Sequence, residues 1–145
     1  MASRAAINEF LSHHNLALVR LSRASPVRGV RIDKELGSKG YAVSVAYLDD
    51  PDPGSKLRGL TNPVDGVILA VPSAQAERAV LEAVDAKVPR IWLQKGCESK
   101  AAVAACEKNR VPVVHGECVL MYTEPVTSVH AFHRWLAKLF GALAK

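Results

Sequence analysis

The chain has no CxxC pair, no Gly-x-Gly-x-x-Gly fingerprint and no uninterrupted apolar run long enough to cross a bilayer. Its three cysteines, Cys97, Cys106 and Cys118, are an odd set. That set argues for a reducing compartment rather than a disulfide framework, so a cytoplasmic location is the expectation, and no ligand pairs stand at the spacing of a structural zinc site. The missing fingerprint argues against a standard dinucleotide site. Glu9, His13, His14 and Asn15 interrupt the apolar residues of the N-terminus, so neither a signal peptide nor a membrane partner is expected. The cationic residues form no run or stripe, so no nucleic-acid partner is expected. The balance of 19 Lys plus Arg against 14 Asp plus Glu is nonetheless +5, which suits an anionic small ligand. At 145 residues, with 49% apolar content, there is material for one domain with one core.

What is present is an alternation of short apolar runs and amphipathic stretches. Ser3 can cap a first helix with Ala6, Ile7, Phe10 and Leu11 on one face. Strands are predicted over residues 16–21, 41–48, 65–71, 90–94 and 111–114. Helices are predicted over 27–38, ended by Lys39-Gly40, and over 73–86 and 99–109. Residues 49–63, punctuated by Pro51, Pro53, Gly54, Gly59 and Pro63, read as a loop in which Asp49, Asp50 and Asp52 form turns. Residues 126–143 read as an amphipathic helix, with Val129, Phe132, Leu136 and Phe140 on its stripe. This rhythm requires right-handed crossovers and a parallel sheet. The expectation is an α/β fold: a single three-layer Rossmann-like domain over residues 1–145, with about five parallel strands and helices on both faces.

In such sheets ligands bind beyond the carboxyl ends of the strands. The turn after the first strand carries Ser22, Arg23, Ser25 and Arg28 into a helix, where hydroxyls, guanidinium groups and main-chain amides suit an anion. Val71-Pro72-Ser73 carries the third strand outward, with Ser73 as the expected helix cap and residues 71–74 as an apolar shelf for a flat ring. Gln94-Lys95-Gly96 closes the fourth strand, where Gly96 permits close approach. His115-Gly116-Glu117-Cys118 gathers an imidazole, a carboxylate and a thiol, but it lacks the third group that would orient a base, so the expectation is structural. Cys97 is the thiol that falls near the strand ends, and Cys106 is expected in the core.

The pieces ALVRLSR with Gly29, KELGSKGYAV, PVDGVILAVPSAQAE, VPRIWLQKGCESKAAVAACEKNRVPVVHGECVLM and FHRWLAKLF together resemble the small stand-alone CoA-binding domain family, related to the CoA-binding domain of the succinyl-CoA synthetase alpha chain. The resemblance implies CoA at the carboxyl edge of the sheet. Its diphosphate would meet Ser22, Arg23 and Gly29, and its adenine would meet Val71, Pro72, Ser73 and Ala74. Gln94, Lys95 and Gly96 would line the far wall. Arg20 departs from the pattern, standing where the family carries Gly or another small residue. The function implied is non-catalytic binding of CoA or an acyl-CoA, with no metal. An interaction protein, a homodimer formed through the terminal helix, and an accessory subunit of an acyl-CoA-handling enzyme are the alternatives.

Overall fold

The computed structural model describes residues 3–23, 31–61 and 63–122. Gly29 and the helix expected over 126–143 lie outside the described residues. Among them, five strands form one sheet in the order β2-β1-β3-β4-β5, and every pairing is parallel. The strands are β1 (Asn15–Arg20), β2 (Ala42–Tyr47), β3 (Gly66–Leu69), β4 (Ile91–Gln94) and β5 (Val113–Glu117). The helices are α1 (Arg4–Leu11), α2 (Ile32–Ser38), α3 (Ser73–Asp85) and α4 (Lys100–Lys108). No described helix is long and apolar enough to cross a membrane.

Side chains alternate across each strand and build two cores. Leu16 and Leu18, Ile68 and Trp92 face α1, α2 and the 3₁₀ turn Val119–Met121, meeting Ile7, Phe10, Leu36 and Leu120. Ala17 and Val19, Val67 and Leu69, Ile91 and Leu93 face the other way, onto Ala76, Val80 and Ala83 of α3 and Ala102 and Cys106 of α4. Small residues on α3 and α4 let both helices lie close on the buried middle strands β1, β3 and β4. Trp92 anchors the first core: it is fully buried, meets Phe10 edge to face at 5.3 Å and donates its Nε1–H to the Glu117 carbonyl at 3.0 Å.

Three helices stop in the same way. The amides of Tyr41, Val88 and Val111 bond back to the carbonyls of Leu36, Ala83 and Cys106. The residues just before them, Gly40, Lys87 and Arg110, hold φ of 92°, 60° and 57°. This is the six-to-one closure of a helix by a left-handed residue, followed by an apolar one that leads toward the next strand.

The expected helices start correctly at Ser3, which accepts from the Ala6 amide, and at Ser99, which accepts from Ala102. Three expectations need correction. Ser73 is not a cap: Pro72 holds the capping position, without a side-chain bond, and Ser73 is the first helical residue. Arg31 is extended at ψ 110°, so α2 begins at Ile32; residues 27–30 of the expected helix lie outside the described residues. The fifth strand also runs later than 111–114, because a register shift at Leu93/Gln94 lets Glu117 pair with Gln94.

Candidate functional site

The strand order reverses direction at β1/β3: the chain goes from β1 outward to β2, then returns past β1 to β3. In open α/β sheets a reversal of this kind leaves a crevice at the carboxyl ends of the two strands. Val19 stands beside Leu69 and Leu69 beside Leu93, so β1, β3 and β4 end level with one another. Just beyond these pairs come Ser22 and Arg23, then Val71, Pro72, Ser73 and Ala74, then Gln94, Lys95 and Gly96. The fold therefore sets the expected site residues along one edge of three neighbouring strands, about 10 Å across at ordinary strand spacing. Gly29 is outside the described residues. Arg20, half-buried, closes β1 opposite Tyr47 of β2.

Arg23 is held from two sides. Its Nε donates to Asp50 Oδ2 at 2.8 Å, and its guanidinium lies over the Tyr47 ring, 4.9 Å from the centroid. The side chain stays 62% exposed, while the Asp50 carboxylate is 8% exposed. Asp50 also accepts from the Asp52 amide, and that bond, with help from Ser55 and Arg23, holds its carboxyl below the ordinary aspartate range. Asp50 and Asp52 do form turns, as expected. Asp49 does not: it meets Arg78 of α3 in a two-pronged pair, Nη1 to Oδ1 at 2.7 Å and Nη2 to Oδ2 at 3.1 Å. The Arg78 hydrogen bond holds the Asp49 carboxyl low, and Asp49 in turn raises Arg78.

Around β3 and β4 the edge is drier. Val71 is buried, and Pro72 and Ala74 expose carbon surface beside it. Cys97 packs against the same strand end, 3% exposed. Burial pushes its thiol up, partly offset by the Val71 amide directed at the sulfur. Gly96 is exposed at φ +90°, a conformation L side chains rarely adopt, and its N–H donates to Glu98 Oε2 at 3.0 Å. Lys95 is exposed. Gln94 serves a different purpose: its Nε2 donates to Cys118 Sγ at 3.1 Å and its Oε1 accepts from the Val119 amide at 3.0 Å. Both polar atoms of that side chain tie β4 to the segment after β5. Glu98 and Ser99 of the loop leaving β4 also line a cleft of about 470 Å³, together with Val103, Ala104 and His115.

The His115–Cys118 cluster ties the end of β5 to its neighbours, while His115 lines the cleft. Glu117 accepts from the Tyr122 hydroxyl at 2.8 Å and Cys118 from Gln94, and no group of three potential ligands for a metal occurs among the described residues. Sequence reasoning missed the pairs Arg23–Asp50 and Arg78–Asp49. Their partners lie 27 and 29 residues apart, so no local spacing announces them.

Three donors at this edge thus already hold an anion supplied by the chain: Arg23 holds Asp50, Arg78 holds Asp49 and the Gly96 amide holds Glu98. Donors that orient carboxylates suit other oxyanions as well, and residues 71–74 place carbon surface beside them. These features define a class, the doubly wound α/β domains with an anion-holding carboxyl edge. A family model described as the CoA binding domain matches residues 54–124. A conserved hypothetical protein from Pyrococcus furiosus is 32% identical over 73% of this chain and 96% of its own, with a TM-score of 0.60. The chain belongs to the CoA-binding-domain family.

The fold is shared more widely. A hypothetical protein from Pyrococcus horikoshii OT3 matches with a TM-score of 0.68 at 18% identity, covering 81% of this chain and 87% of the other. Prb, described as the PH1109 protein redesigned for binding, matches at 0.67 and 22% identity, covering 82% and 87%. None of the curated proteins matches the chain.

Proposed function

We propose that the protein binds CoA or an acyl-CoA at the carboxyl edge of the sheet, across the β1/β3 crevice, without catalysing a reaction of its own. The observation that carries this reading is the placement of Arg23 at the end of β1, fixed by Asp50 and Tyr47 yet open to solvent, in a chain of the CoA-binding-domain family. The diphosphate would meet Ser22, Arg23 and Gly29. Adenine would lie on Val71, Pro72, Ser73 and Ala74. The pantetheine arm would pass Lys95 and Gly96, and an acyl group would extend toward the cleft beside His115. Gln94 would serve by fixing that wall through Cys118 and Val119.

Two of the three thiols are poor candidates for a nucleophile. Cys97 and Cys106 are buried with raised pKa, Cys106 to about 11, so neither is a thiolate at neutral pH. Isothermal titration with CoA tests the reading. Saturable binding is expected, and Arg23→Ala should weaken it about tenfold, the loss of one charge-assisted phosphate contact. No heat from CoA at millimolar concentration would end the proposal.

A further inference from the structure

The pair formed by Arg78 and Asp49 joins elements that are not neighbours in the sheet. Asp49 follows β2, and Arg78 sits in the second turn of α3, which follows β3; β1 runs between those two strands. The Asp49 amide bonds to the Leu21 carbonyl at 2.7 Å, so this carboxylate stands beside the first residue beyond β1. Arg78 therefore reaches across the end of β1 and bridges the crevice. Its guanidinium is organised before it meets Asp49: Nε and Nη2 both donate to Gln75 Oε1, at 3.2 and 2.7 Å, one turn back on the same helix face. Lys56 adds a second positive charge near Asp49.

We propose that Arg78, oriented by Gln75, reads the ribose-borne phosphate of CoA, and that Asp49 occupies its fork until that phosphate replaces it. This rests on the CoA reading above and names a residue that decides which coenzyme is accepted. Adenine on residues 71–74 sits at the start of the helix that carries Arg78, and of CoA's three phosphates the ribose-borne one lies nearest the adenine. A phosphomonoester offers the fork the same two parallel acceptors as a carboxylate and carries more charge. Displacing Asp49 is easy because the pair is exposed on both sides, 45% and 53%, where ion pairs hold weakly.

The test compares CoA with dephospho-CoA, which lacks only that phosphate, by isothermal titration. The native protein should bind CoA about tenfold more tightly than dephospho-CoA. Arg78→Ala should remove the preference and leave dephospho-CoA binding unchanged. Asp49→Asn should tighten CoA several-fold and leave dephospho-CoA unchanged. Arg58→Ala, which removes an equal charge paired with Asp85 far from this edge, should change neither. A preference that survives Arg78→Ala, or its absence in the native protein while CoA still binds, overturns this inference and leaves the CoA reading standing. Failure of the native protein to bind either compound overturns the CoA reading and this inference with it.

Discussion

Gln94 illustrates how a side chain at the right address can have a different task. Its position at the end of β4 places it on the edge of the site, but its amide is spent on Cys118 and Val119. Removing it would leave the Val119 amide without its acceptor beside a fully buried side chain. Gln94→Ala should cost about 1–3 kcal/mol of stability in urea denaturation. If Gln94 acted only as a ligand contact, stability would be unchanged and CoA affinity alone would fall. Cys106 makes a second residue-scale prediction. Burial moves its thiol from an ordinary value of 9.0 to about 11. The folded state then holds its proton where the unfolded chain releases it, so this contribution is complete below about pH 9 and is lost as pH rises through about 11. The native protein should lose stability over that window, and Cys106→Ala should flatten the decline, measured as denaturation midpoints from pH 8 to 11. An identical slope in the variant would refute the assignment. The sequence revealed that Cys106 is a core residue, because small residues surround it on one helix face. It could not reveal the partners of Gln94, 24 and 25 residues away, because nothing local encodes that distance.

Elements were legible where their signals are local. Apolar β-branched runs located all five strands, and Ser3 located the first helix start, because a cap bonds within three residues of itself. Ser73 has the same chemistry one position too late: Pro72 fixes the extended turn and pushes Ser73 into the first helical position. The fifth strand was placed early because its extent depends on a register shift in β4, not on its own residues. The helix ends show a similar split. Gly40 announces the left-handed closure of α2, whereas Lys87 and Arg110 make the same closure with side chains that disfavour it. Each of those two residues carries backbone strain that glycine would relieve. Lys87→Gly and Arg110→Gly should therefore each raise stability by about 0.5–1 kcal/mol, after the greater freedom glycine gives the unfolded chain is offset. Chemical denaturation checks this, and a loss of stability in both would show that the closure is not strained.

At the scale of the molecule, the layers follow from strand alternation, while the site follows from strand order. Periodicity alone showed a parallel sheet with covered faces. The order β2-β1-β3-β4-β5 is what puts Asp49 and Asp50 on one flank of β1 and Arg78 on the other, and that arrangement exists only in the folded chain. The site is thus a meeting of three loops whose positive groups are partly neutralised by the protein's own carboxylates. On the proposed reading a polyanion there would meet those positive groups, so its hold should depend on salt even though the chain's net charge is only +5. Binding to the folded state alone stabilises it by about 2.7 kcal/mol at a hundredfold excess over Kd. For a domain of this size, that corresponds to a rise in Tm of about 6–10 °C. Melting curves with CoA at low salt should show this rise, and raising the salt to about 0.5 M at the same CoA concentration should remove most of it, because exposed charges are then screened within a few ångströms. A shift that ignores salt would mean that the apolar shelf at residues 71–74 dominates binding, with the guanidinium groups as bystanders.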